Sequence, residues 1–115
     1  MKTELTRFTV KQNKSERVDE WMEILKNNIK DVLLTLEGEK MYIEAIFREK
    51  EGGCEYLYWF SIQEENGTPA EKSNHEIDKK HLEFWKECIE PNSKKDIDLQ
   101  LIMIPEDIKK FLDNR

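Results

Sequence analysis

A chain of 115 residues with 37% apolar and 38% charged side chains can bury one hydrophobic core, and its aromatic and β-branched content is too high for disorder. Its formal net charge of −6 opposes the basic footprint that DNA or RNA binding needs and disfavours docking on anionic membranes. No linker-like segment divides it, no stretch nears the ~20 apolar residues of a membrane span, and the start "MKTELTRFTV" has no apolar signal segment, so a single cytosolic domain over residues 1–115 is expected.

"TELTRFTVK" (3–11) alternates and is rich in Thr, Phe and Val, which predicts a strand, with "QNK" as the following turn. Ser15 is a candidate N-cap, and Val18, Trp21, Met22, Leu25 and Ile29 recur at helical spacing, predicting a helix that ends near Asn28. "IKDVLLTLEGE" is expected to add a turn or two, closed by Gly38. "KMYIEAIFREK" and "CEYLYWFSIQ" read as strands joined by a hairpin at Gly52-Gly53. After the polar "EENGTPAEKS", Ser73 or Asn74 can cap a second long helix that Pro91 stops. "DIDLQLIMI" is a fourth strand, and "PEDIKKFLDN" a short terminal helix. This order predicts an α+β, ferredoxin-like βαββαβ fold: a four-stranded antiparallel sheet, helices on one face, and a short C-terminal helix.

Alternation divides each strand into two sets. Phe8 and Val10, the Met41, Ile43, Ala45 and Phe47 set, Tyr58, Phe60 and Ile62, and Ile97, Leu99, Leu101 and Met103 are expected beneath the helices. The open face would then carry Leu5, Arg7, Thr9, Tyr42, Glu44, Ile46, Leu57, Trp59, Ser61, Asp98, Gln100 and Ile102. That mixture suits either a small-molecule cleft or a dimer interface. The register of the third strand is open, so Trp59 can fall on either face. A bare face of this kind would aggregate, and a second copy of the chain is its simplest cover.

"HEIDKKHLEFWKECI" (75–89) holds both histidines and one of the two cysteines. Ile77, His81, Phe84, Trp85, Cys88 and Ile89 form one helical stripe, which reads first as core with His81 a hydrogen-bonded border residue. The sharper reading makes His81 a general acid or base paired with a carboxylate such as Glu44. Cys88 lies two turns from His81, about 10 Å along the axis, too far for a nucleophile–base pair. Cys54 and Cys88 are expected as free thiols. Without CxxC or HxxxH spacing, and without a nucleotide or nucleophile-elbow motif, no metal and no cofactor are expected.

The stretches "ELTRFTVK", "KSERVDEWM", "DVLLTLEGEKMYIE", "EYLYW" and "IDKKHLEFWKECI" together resemble a bacterial domain-of-unknown-function family, number 6176, over nearly the whole chain. That resemblance carries over no catalytic residue. More distantly, the layout is similar to the dimeric α/β-barrel superfamily, in which two ferredoxin-like chains set their sheets face to face. "RFTVKQNKSERVDEW" is similar to the entry of its monooxygenases, with Asn13 where a Gly is usual. "FWKECIEPNSKKDIDLQLIMI" is similar to the last helix and strand of its rhamnose mutarotases. Those enzymes carry a His on the first helix where this chain has Asn27 or Asn28, and no axial histidine for haem lies on the expected open face.

The resulting expectation is a small cytosolic homodimer binding an organic ligand in an open-face cleft lined by Arg7, Tyr42, Glu44, Trp59 and Gln100. The alternatives are a cofactor-independent enzyme of monooxygenase or isomerase type, with Glu44 or His81 moving protons, and a purely structural or interaction dimer.

Overall fold

The computed structural model describes residues 1–64 and 75–114. In chain order it contains β1 (Lys2–Thr9), α1 (Ser15–Asn27), α2 (Ile29–Glu39), β2 (Met41–Glu51), β3 (Cys54–Gln63), α3 (Glu76–Cys88), β4 (Lys95–Ile97) and α4 (Glu106–Asp113). The strands pair antiparallel in the order β2-β3-β1-β4, the ferredoxin-like arrangement.

Local chemistry explains most of these boundaries. Gly52 (φ 57°) and Gly53 (φ 80°) both take the left-handed conformation, which a two-residue hairpin with φ > 0 at both positions requires. The turn after β1 uses Asn13 at φ 65°, a residue that tolerates this region. Lys14 occupies the N-cap of α1, and Ser15 instead opens the helix, its Oγ and carbonyl both accepting from Arg48 Nη2 (2.8 and 2.9 Å). The "IKDVLLTLEGE" stretch forms a full eleven-residue helix rather than the expected turn or two. It starts anew because Asn28 (φ −117°, ψ 31°) departs from helical geometry, with its side-chain Nδ2 donating to Ile24 O at 2.8 Å. It closes at Lys40 (φ 54°), not at Gly38, which stays inside the helix. His75 is the N-cap of α3; the expected caps Ser73 and Asn74 lie outside the described residues.

The largest departure is at β4. The expected strand "DIDLQLIMI" shrinks to three residues, and 98–104 run on without strand pairing. The ladder with β1 stops at Leu5↔Ile97, although the same register would set Leu99 opposite Thr3.

Val10, Val18, Trp21, Leu57, Phe84, Cys88 and Ile89 form the buried core between the sheet and α1 and α3. Four of the six stripe residues expected on α3, Ile77, Phe84, Cys88 and Ile89, are buried. Arg17 on α1 joins the two helices: its Nε and Nη2 each donate to the Glu87 carboxylate at 2.8 Å, and its guanidinium lies 4.5 Å over Phe84. This fork holds the Glu87 carboxyl at about 2, well below its ordinary value.

The faces of β2 and β3 are largely the reverse of the expectation. Directly opposed residues share a face, and the pairs Phe8↔Leu57, Thr6↔Trp59, Ile46↔Trp59 and Glu44↔Ser61 place Glu44, Ile46, Leu57, Trp59 and Ser61 beneath the helices. Ile43, Ala45 and Phe47 with Tyr58, Phe60 and Ile62 belong to the other side, where Ile97 joins them opposite Leu5, while the irregularity between Met41 and Ile43 sets Met41 opposite Gln63, on the helix side as expected. Leu99, Leu101 and Met103 are exposed rather than packed under helices. The assignments of Phe8 and Val10 to the helix side and of Leu5, Arg7 and Thr9 to the open side hold. The reversal has a physical reason. Both faces of β3 are largely apolar, so alternation alone does not select its covered face, and the polar groups there are satisfied within the sheet: the Trp59 indole donates to Glu44 and Ser61 accepts from Gln63.

Candidate functional site

A cavity of about 280 Å³ lies between the sheet and the three helices. The second turn of α1 onward contributes Met22 and Leu25, α2 contributes Val32, Thr35 and Leu36, and β2 and β3 contribute Ile46 and Trp59. Its size is near the lower bound of ordinary ligand sites, roughly 300–1,000 Å³. α2 forms the outer wall. Leu33 lines the chamber while remaining half-exposed, and Leu34 is exposed on the other side of the helix.

Five titratable groups line this chamber: Lys26 from α1 and Glu39 from α2 at its rim, Glu44 from β2, and Asp78 and His81 from successive turns of α3. The Trp59 Nε1–H donates to Glu44 Oε1 at 2.8 Å, fixing both side chains. The Trp21 Nε1–H donates to His81 Nδ1 at 3.0 Å. Nδ1 is therefore an acceptor, and in the neutral ring the proton sits on Nε2. Trp21, Trp59, His81 and Trp85 form one aromatic cluster, with Trp59 and His81 centroids 5.6 Å apart. Asp78 is 6% exposed, and its Oδ2 is buried without a hydrogen-bond partner among the described residues. Native proteins satisfy nearly all such atoms, so an orphan on a cavity wall marks a place for a donor.

Burial raises the Glu44 carboxyl above its ordinary 4.5, against the Trp59 hydrogen bond, and the Asp78 carboxylate pushes in the same direction. Burial lowers His81 below its ordinary 6.5, against the pull of Asp78. The two shifts act on stability in opposite directions. As pH falls through 6.5 the unfolded chain protonates its histidine before folded His81 does, so stability is lost on the acid side. As pH rises through 4.5 the unfolded chain releases a proton that folded Glu44 keeps, so stability is lost on that side. Glu44→Gln is expected to raise the melting temperature at about pH 8 and to lose this advantage near pH 4. Thermal melts of both proteins across that range read it directly.

The five residues expected to line one cleft are not brought together. Glu44 and Trp59 share the cavity, as expected of each other, but beneath the helices. Arg7 lies on the open face, its guanidinium 4.6 Å over the Tyr56 ring and its Nε buried without a partner. Tyr42 sits beside the irregularity in β2, with its hydroxyl donating to Glu64 at 2.9 Å. Gln100 is exposed in the segment after β4. His81, the other candidate, joins Glu44. Sequence reasoning missed Asp78 and the whole of α2. The signal for Asp78 was available: Asp78 and His81, three apart, fall on one helix face, and that face is the apolar one.

Two larger clefts, about 480 Å³ beside the Gly52-Gly53 hairpin and about 360 Å³ beside Trp85 and Pro91, are lined by loops and surface lysines and hold no buried titratable group. Among the described residues, no group of three or more His, Cys, Asp or Glu is arranged to hold a metal ion, and no helix is long and apolar enough to cross a membrane.

Among solved structures, the chain is similar to an L-rhamnose mutarotase from Formosa agariphila, with 18% identity and a TM-score of 0.55 over 91% of this chain and 99% of that one. That likeness bears on the fold alone and agrees with the ferredoxin-like arrangement of the strands. No match is found among curated proteins. The model of the family of unknown function DUF6176 matches residues 1–110, nearly the full length over which these strands and helices run, and the chain belongs to that family.

Proposed function

We propose that residues 1–115 form a single cytosolic small-molecule-binding domain whose ligand occupies the cavity beneath α2, and that it works as a homodimer joined through the open sheet face. The buried, unpartnered Asp78 Oδ2 on an otherwise apolar cavity wall is the observation that carries the reading. Dimerisation is supported by the apolar open face, where Ile43 and Phe47 are exposed, and by the fold shared with the mutarotase. Filling the chamber tests the site. Ile46→Trp is expected to abolish ligand-induced stabilisation in thermal melts while the dimer persists. Undiminished stabilisation in that variant would place the ligand elsewhere.

A second reading, a cofactor-independent enzyme that moves protons, is favoured by one observation. Burial moves the Glu44 carboxyl up, toward the range where acid–base catalysis works best, and moves His81 down, which keeps its imidazole unprotonated as a hydrogen-bonding neighbour. Under it, Glu44→Gln leaves ligand binding intact and removes turnover.

Arg7 separates both from a purely structural dimer. With its Nε buried and unpartnered on the open face, Arg7→Ala is expected to change the dimerisation constant and to leave ligand affinity unchanged. A loss of ligand affinity with the dimer intact would return the site to the open face.

A further inference from the structure

The polar groups on the cavity wall define what the ligand must offer. Asp78 Oδ2 is an acceptor with no donor. The Glu44 carboxyl adds a second acidic group, with only the Trp59 N–H given to its Oε1. His81 has its Nδ1 occupied by Trp21. The charged groups around this chamber are Lys26 from α1, Glu39 from α2, Glu44 from β2 and Asp78 from α3. Lys26 is exposed and lies 4.0 Å from Glu23 on its own helix, so among the described residues lining the chamber no buried cation balances Asp78 and the partly buried Glu44. The Trp59 ring, held edge-on to Glu44, supplies an electron-rich aromatic wall.

Resting on the cavity reading above, we propose that the ligand is a small organic cation, a primary or secondary amine on a compact apolar body, whose ammonium donates to Asp78 Oδ2 and lies against Trp59. An ammonium supplies the missing donor and the missing positive charge at once, and a tryptophan face favours a desolvated cation. An anionic ligand would face two carboxyls with no buried counter-charge. A neutral alcohol would satisfy Asp78 and leave the charge unbalanced.

Binding of the cation favours ionised Glu44, whose carboxyl burial otherwise holds above its ordinary range. Amine binding should therefore release up to one proton and tighten as pH rises through the titration of Glu44. His81 and Asp78 face the same chamber, so the variants below separate their contributions.

The test is isothermal titration of the full chain with three probes of one shape: cyclohexylamine, cyclohexanol and cyclohexanecarboxylate, each in two buffers of different ionisation enthalpy. The expected result is that the amine binds about tenfold or more tighter than the alcohol, with proton release, while the carboxylate does not bind. Asp78→Asn should erase the preference of amine over alcohol, and Glu44→Gln should erase the proton release while retaining binding. Equal or tighter binding of the alcohol would overturn the cation assignment and leave the cavity as the site. Binding of none of the three by the folded wild-type protein, or binding unaffected by Ile46→Trp, would overturn the cavity reading itself.

Discussion

Trp21→Ala is expected to destabilise the protein by about 3–5 kcal/mol, the range for emptying a large aromatic site in a core. Trp21 is fully buried and packs against Trp59 (5.8 Å), Phe84 (6.3 Å, stacked) and Trp85 (5.8 Å), so its loss leaves a void at the meeting point of α1, α3 and β3. It also strands His81 Nδ1 without its donor. Trp21→Phe separates the two effects. Most of the packing remains, and the lost hydrogen bond costs about 1–3 kcal/mol. An N–H donated to Nδ1 favours the neutral imidazole, so its removal should move the His81 titration up toward 6.5. Denaturant unfolding of both variants and an NMR titration of the histidine ring measure these quantities. A Trp21→Ala cost below that of an ordinary surface change would contradict the packing described here.

Phe47→Glu is expected to weaken dimerisation by about 2 kcal/mol or more, roughly 30-fold, with little change in the fold of the protomer. Phe47 is 59% exposed on the open face, and the segment after β4 leaves Leu101 at 70%, Met103 at 81% and, on α4, Phe111 at 67% exposure. Isolated surface hydrophobics are ordinary, whereas this set lies along one sheet face and the arm that continues its edge strand. A second copy would cover both, each arm extending the sheet where β1 ends. Leu101→Glu should therefore act like Phe47→Glu, and the pair together should give a monomer. Sedimentation of wild type and variants over a range of concentration reads the constants. A wild-type protein that stays monomeric at high concentration would remove the interface.

The elements were legible in the sequence because each carries its own local signal: alternation in β1, β2 and β3, helical spacing in α1 and α3, and the Gly52-Gly53 hairpin. What was not legible depends on facts outside the local pattern. β3 is apolar on both faces, so alternation divided its residues into two sets without saying which set the helices cover, and β2 follows β3 through its pairing. The answer lies in the pairing of β1 with β3, where Phe8 meets Leu57. Glu44 on an otherwise greasy strand suggested an open face, since a carboxyl seldom goes under helices. Its burial here is the exception that marks the site, relieved by the Trp59 indole and by a raised affinity for protons. β4 failed for the opposite reason. Its alternation through Ile97, Leu99, Leu101 and Met103 is a clear strand signal, yet the ladder with β1 covers only Lys95–Ile97.

The central claim, that the ligand site is the chamber beneath α2 and not the open sheet face, is tested most directly by NMR of the three tryptophan indoles and the three tyrosine rings during addition of the cyclohexyl probes. Trp59 lines the chamber, Trp21 touches it through His81, and Trp85 lies behind, whereas Tyr56 and Tyr58 belong to the open face. The account predicts that the Trp59 indole N–H signal moves most, Trp21 follows, and the tyrosine rings stay in place. Movement of the Tyr56 and Tyr58 signals with a stationary Trp59 would contradict it.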